Sequence, residues 1–160
     1  MNDMNKTKQT SEGLKISDFE DKSLLIVDDD DPLRNRLARA MQQKGFQVQD
    51  AKTVENAIKI VKSRPPHFAL VDLRLEDGSG LDVVKEINKV KKDSRIVMLT
   101  GYGNLPTAVA AVKAGAIDYI AKPVDADDVE SALLADPVSK AKPPENPMSA
   151  DRVKWEHIHR

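Results

Sequence analysis

Between Pro65-Pro66 and Asp77-Gly78-Ser79-Gly80 the chain carries Phe68-Ala69-Leu70-Val71, an apolar run of strand length that ends on the carboxylate of Asp72. A run without polar alternation belongs to a strand buried on both faces, as in the middle of a parallel sheet. The prolines forbid helix before it, and the glycine-rich segment supplies a turn after it. Asp72 therefore stands at the carboxyl tip of a central strand, the edge at which open α/β sheets bind their ligands. Taken alone it reads first as a solvated loop aspartate, so the rest of the chain has to decide.

The pattern recurs along the sequence. Ser23 to Val27 runs into Asp28-Asp29-Asp30-Asp31, Phe46 to Asp50 is a short second strand, Ile96 to Leu99 ends at Thr100-Gly101, and Ala116 to Ala121 ends at Lys122-Pro123. Helical spacing alternates with these runs. Leu33, Leu37 and Ala40-Met41 follow Pro32, with Asp31 as the expected N-cap and Gly45 as the stop. Thr53 caps a second helix through Val54, Ala57, Ile58 and Val61, and Leu81, Val84, Ile87 and Val90 mark a third. Pro106 to Ala114 forms a fourth, closed by Gly115, and Asp125 to about Ala135 a brief, acidic fifth. Five βα units predict an α/β fold, a doubly wound, flavodoxin-like parallel sheet in the order 2-1-3-4-5.

Composition narrows the function. With 25 basic against 26 acidic residues, overall charge gives no argument for nucleic acid or an anionic membrane surface. The absence of cysteine removes disulfides, thiolate nucleophiles and thiolate-bound zinc. No apolar run approaches the ~18 residues of a membrane span, so a cytoplasmic protein without membrane insertion is expected. Residues 1–21 read as a disordered tail, 22–135 as the folded domain and 136–148 as a stiff linker holding Pro137, Pro143, Pro144 and Pro147. Residues 149–160 begin a further helical segment.

In a parallel sheet the carboxyl tips share one edge, so Asp28, Asp29, Asp72, Thr100 and Lys122 converge although they lie far apart in the chain. Crowded carboxylates repel, and a raised pKa or a bound cation relieves them. Oxygen donors without Cys or His point to Mg2+, which keeps several waters and takes one or two carboxylates. Asp72 then becomes a candidate nucleophile, since aspartyl phosphate is an established type of covalent intermediate. A phosphoryl group in transfer spreads charge over three oxygens, and Mg2+, the Lys122 ammonium and the Thr100 hydroxyl offer one partner to each. Singly, Thr100 is equally a strand-end cap, Lys122 a surface charge and Tyr119 an amphipathic strand residue.

Ile-Val-Asp28-Asp29-Asp30, Leu-Val-Asp72, Met-Leu-Thr100-Gly101 and Tyr119-Ile-Ala-Lys122-Pro123 together resemble the receiver domain of two-component response regulators. The resemblance implies that Asp72 accepts phosphate from a sensor histidine kinase. It implies that Asp29 binds Mg2+ directly, Asp28 mainly through water, and the backbone carbonyl of Arg74 as a further ligand. Lys122 and Thr100 would bind the phosphoryl group, Thr100 and Tyr119 would form the conformational switch, and the peptide before Pro123 would be cis. The positions two after Asp72 and two after Thr100 tune phosphate lifetime in that family. Here they are Arg74 and Tyr102, bulky enough to hinder an attacking water, so a long-lived acyl phosphate is expected and a lifetime of seconds would contradict it.

The linker, Glu145 to Ile158, Thr100-Gly-Tyr-Gly-Asn104 and Asp125-Ala-Asp-Asp128 resemble the RegA/PrrA/ActR group of redox-responsive regulators. In that group the segment leads into a Fis-like helix-turn-helix domain, and this sequence stops within what would be its first helix. DNA binding is thus expected only through a completed effector domain, because a helix-turn-helix reader needs its recognition helix. Asp125, Asp127, Asp128 and Glu130 make the fifth helix acidic, so any phosphorylation-dependent homodimer should avoid the ion-pair face used by winged-helix regulators. The basic Arg34, Arg36 and Arg39 fall on the first helix, either beside a kinase docking surface or simply solvated. Two other readings stay open. One is a stand-alone receiver or phosphate shuttle acting by protein contact. The other is a haloacid-dehalogenase-type phosphatase with Asp28 as nucleophile, since Asp28-x-Asp30 follows a strand and Thr100, Lys122 and Asp127-Asp128 come later in matching order.

Overall fold

A computed structural model describes residues 14–101 and 105–135, and Leu14–Leu134 form a single unit. Its elements are β1 (Ser23–Val27), α1 (Asp31–Gln43), β2 (Gln47–Ala51), α2 (Val54–Ser63), β3 (Phe68–Asp72), α3 (Gly80–Val90), β4 (Arg95–Thr100), α4 (Leu105–Ala114), β5 (Asp118–Ala121) and α5 (Ala126–Leu133). A two-residue hairpin, Arg74–Leu75 against Gly78–Ser79, lies between β3 and α3. All five main strands are parallel and lie in the order β2-β1-β3-β4-β5. That is the expected flavodoxin-like topology.

Successive residues of the central strands alternate between two cores. Leu25, Val27, Ala69, Val71, Ile96 and Met98 pack with Ala57, Val61, Val83, Val84, Ile87 and Ala111 of α2, α3 and α4. Leu24, Ile26, Phe68, Leu70, Val97 and Leu99 pack with Leu37, Met41, Val129 and Leu133 of α1 and α5. Burial on both faces is the reason these strands are uninterrupted apolar runs. Each buried Leu, Ile, Val or Phe contributes roughly 1.5–3 kcal/mol from water transfer, which makes this double core the main stabilising term.

Several local expectations are corrected. The cap of α1 is Asp30, not Asp31: Asp30 is extended, and its carboxylate accepts the Leu33 N–H at 3.1 Å, leaving Asp31 in the first turn to pair with Arg34. In α3 the buried stripe is Val83, Val84 and Ile87, and Val90 is 43% exposed because it sits in the last turn beyond the core. Residues 14–21 are not all tail. A 3-10 turn, Ile16–Asp18, leads to Phe19, whose ring lies 5.0 Å from Phe68 and 5.5 Å from His67, because Ile16 and Phe19 supply apolar surface to the core beside α1 and α5. The acidity of α5 is partly neutralised within the unit, where Lys44 Nζ lies 2.6 Å from Asp127 and 3.1 Å from Glu130. The proline-rich linker 136–148 and the segment 149–160 lie outside the described residues. No described helix is long and apolar enough to cross a membrane.

Candidate functional site

The sheet register assembles the site. Val27 pairs with Val71, so Asp28, one residue past β1, lies beside Asp72, the last residue of β3. Asp72 pairs with Leu99 and Thr100 with Ala121, which brings the tips of β4 and β5 to the same edge. Lys122, directly after β5, donates its backbone N–H to the Thr100 carbonyl at 2.9 Å, and its peptide bond to Pro123 is cis.

Side chains from three separate segments meet there, after β1, at the end of β3 and after β5. One oxygen each of Asp28, Asp29 and Asp72 lies within 4.8 Å of the others. Lys122 Nζ stands 3.1 Å from Asp72 Oδ2 and 3.2 Å from Asp28 Oδ2. Asp28 is fully buried, and Asp72 and Thr100 are only 6% and 5% exposed. The Asp30 N–H donates to Asp28 Oδ1 at 2.9 Å, whereas the buried Oδ2 accepts no hydrogen bond, since the nearby ammonium approaches it as an ion pair only. A buried carboxylate oxygen left so is costly and invites a further cation.

The electrostatics follow from this crowding. Burial first, and then the negative charge of Asp28, pushes the Asp72 carboxyl up to about 6 against the pull of Lys122. Burial works against the charge on Lys122, but its hydrogen bond to Asp72 and the two carboxylates outweigh this and hold the ammonium above its ordinary value. The cluster can therefore bind a hard cation and present a carboxylate nucleophile beside a fixed ammonium.

Of the other expected residues, Tyr119 is partly buried against the core under α2, α3 and α4. Arg74 opens the hairpin opposite Ser79 with its side chain exposed. Tyr102 lies outside the described residues.

Three residues have structural roles that the sequence did not reveal. Gly80 donates its N–H to the Leu73 carbonyl at 2.7 Å, and a β-carbon there would overlap the Asp72 carbonyl oxygen and come within 2.9 Å of Val71 Cγ1. Asp77, at the hairpin tip, accepts the N–H groups of Val54 and Glu55 at 2.8 and 3.1 Å and so caps α2 from 23 residues away. Arg34, expected on the helix surface, turns inward to the backbone of Asp28. The glycine-rich turn was the signal for Gly80; nothing in helical spacing singles out Arg34.

Residues 24–134 match the response regulator receiver domain. The chain belongs to that family. It is 60% identical over 141 residues to the photosynthetic apparatus regulatory protein RegA of Rhodovulum sulfidophilum, covering 88% of this chain and 77% of that protein. It is 59% identical over 140 residues to the acid tolerance regulatory protein ActR of Rhizobium meliloti, covering 88% and 72%. This receiver thus falls in the RegA/ActR group. Among solved structures it resembles a Burkholderia pseudomallei response regulator described with a phosphorylated aspartic acid, a calcium ion and citrate, with TM-score 0.70 and 32% identity over 88% of this chain and 83% of that one. The receiver domain of NtrX from Brucella abortus is similar with TM-score 0.63 and 33% identity, covering 69% and 97%. The phosphatase reading falls with the family match, and Asp28, fully buried with Oδ1 held by the Asp30 amide, is poorly placed to attack a substrate.

Proposed function

We propose that this receiver takes a phosphoryl group onto Asp72 from the phosphohistidine of a sensor kinase. The observation that carries the reading is the Lys122 ammonium held 3.1 Å from Asp72 and 3.2 Å from Asp28, with Asp28 Oδ2 buried and accepting no hydrogen bond. An Asp72 oxygen attacks phosphorus, the P–N bond breaks, and the imidazole leaves with the electron pair and takes up a proton. Lys122 neutralises charge on one phosphoryl oxygen, and the Thr100 hydroxyl donates to another. Thr100 then moves toward the phosphoryl group and Tyr119 turns into the space it leaves, an equilibrium shifted only by the differential contacts that phosphate makes.

The donor set fits Mg2+, because it is made of hard oxygens with a buried, under-coordinated carboxylate. Asp28, Asp29, Asp72 and the Arg74 carbonyl would hold it. Bound there, it would neutralise developing charge on the phosphoryl oxygens. Residues 136–148 serve as a linker and 149–160 as the start of a DNA-binding output segment, which makes the protein a transcription regulator of the RegA/ActR type. This rests on the likeness of residues 145–158 to that group.

The test is incubation with acetyl phosphate and Mg2+, followed by mass spectrometric location of the modification. A phosphoryl adduct on Asp72, absent without Mg2+ and absent from Asp72→Asn, is the expected result. An adduct on Asp28, or none in the wild type, overturns the reading.

A further inference from the structure

The β1–α1 loop that carries Asp28 and Asp29 has its end fixed from three directions. The Asp28 N–H donates to the Ala51 carbonyl at 3.1 Å, which continues the ladder with β2 by one residue. The Asp30 N–H holds Asp28 Oδ1 at 2.9 Å. The remaining group of the same residue, its backbone carbonyl, accepts a hydrogen bond from Arg34 Nη1 at 2.8 Å. With these three contacts made, Oδ2 is the one oxygen of Asp28 that accepts no hydrogen bond, and it faces Lys122 Nζ at 3.2 Å.

Arg34 is itself anchored. Its Nε lies 2.7 Å from Asp50 Oδ2 at the end of β2, its Nη1 lies 2.8 Å from Asp31 Oδ1 in the first turn of α1, and its side chain is only 12% exposed. A planar guanidinium with donors in fixed directions can hold three acceptors in one geometry, and a single ammonium cannot. The bond to the carbonyl of the Asp28–Asp29 peptide is not needed to anchor the arginine, which Asp31 and Asp50 already hold. It has a use if the orientation of that peptide decides where Asp29 points.

Taking Mg2+ binding at the acidic cluster from the function proposed above, we propose that Arg34 is a positioning residue for the cation site: it fixes the Asp28–Asp29 peptide and so presents the Asp28 and Asp29 carboxylates in binding geometry. Mere electrostatics predicts the opposite sign. A guanidinium beside a cation site repels the cation, so removing it should tighten binding if charge alone matters. Positioning predicts a loss, of the order of 10-fold, as is usual when a partner that orients metal ligands is removed.

The test is Mg2+ affinity of the full chain by titration calorimetry, with Mn2+ and electron paramagnetic resonance as a second probe, for wild type, Asp72→Asn, Arg34→Ala and Arg34→Lys. The expected result is affinity about 10-fold weaker in Arg34→Ala and intermediate in Arg34→Lys, with displaced Asp28 carbonyl and Asp29 amide resonances in metal-free spectra. With acetyl phosphate, the Mg2+ concentration for half-maximal phosphorylation should rise about 10-fold while the rate at saturating Mg2+ stays within about two-fold. A destabilised fold alone would not produce that split. Should Arg34→Ala fail to fold, Arg34→Lys decides, because it keeps the charge and loses the geometry. Unchanged or tighter Mg2+ binding in the folded Arg34 variants overturns the inference while leaving the phosphoacceptor function standing. Wild type that binds no Mg2+, or binds it no better than Asp72→Asn, overturns the cation site and the inference with it.

Discussion

Asp72 is an uncomfortable anion even with the Lys122 ammonium 3.1 Å away. Its carboxyl is pushed up to about 6, by burial and then by Asp28, from an ordinary value of 3.8. A carboxyl whose folded pKa is raised contributes stability that is complete below about pH 4 and is lost as pH rises through about 6. At neutral pH the metal-free protein therefore holds this charge at a cost. Asp72→Asn keeps the shape and removes the charge, so without divalent cation at pH 7 it should be more stable than wild type by about 1–3 kcal/mol. The difference should shrink toward pH 4. Urea unfolding in chelator at the two pH values measures both. Equal stabilities at pH 7 would show that Lys122 already neutralises the pair. The phosphoryl chemistry proposed for Asp72 would thus sit on strain that a bound cation relieves, in keeping with the tendency of perturbed carboxyls to mark functional sites.

At the scale of elements, the apolar runs of β1, β3 and β4 were legible because burial on both faces leaves no polar alternation, and each run names its own tip residue. The order of strands then brought Asp28, Asp72, Thr100 and Lys122 together. What remained hidden are contacts between elements that carry no period. Asp77 reaches from the hairpin to the start of α2, Arg34 from α1 to the end of β1, and Asp30 takes the cap that Pro32 suggested for Asp31. Gly80 is the clearest case, since its sequence context says only that a turn follows. In the structure α3 begins so close to β3 that a β-carbon on Gly80 would overlap the Asp72 carbonyl, a backbone atom that cannot rotate away. Gly80→Ala should therefore separate α3 from the tip of β3, costing about 1–3 kcal/mol as overpacking does. It should also displace Asp72 and slow its phosphorylation, because misplacement by about 1 Å can cost 100-fold in rate. Denaturant unfolding with acetyl phosphate kinetics at full Mg2+ checks the pair of effects. A variant with wild-type stability would mean that α3 shifts freely.

At the scale of the whole unit, the end away from the acidic cluster has its own organisation. Phe19 packs on His67 and Phe68 with Arg95 over its ring at 5.6 Å, and Arg95 Nε donates to the Leu133 carbonyl at 2.7 Å. The Leu14 N–H reaches the Leu134 carbonyl at 3.4 Å, so the chain enters and leaves this unit side by side. His67 sits within that closure with Nδ1 buried and accepting no hydrogen bond. Burial, then the charge of Lys91, lowers its pKa; Asp93 and Asp21 oppose the shift and Arg95 adds to it. A histidine with a depressed folded pKa contributes stability that is complete above its ordinary value of 6.5 and is lost as pH falls toward the folded value. Asp72 has the opposite slope, so the wild-type profile alone cannot isolate the histidine, whereas a comparison at fixed Asp72 can. In an Asp72→Asn background, His67→Gln should flatten the fall in Tm between about pH 7 and pH 5. If protonation acts by loosening the closure, the Phe19 ring resonances of the His67 parent should broaden over the same interval and those of His67→Gln should not. Parallel Tm profiles for the two variants would mean that the imidazole charges without cost, and that the closure stays shut at either pH.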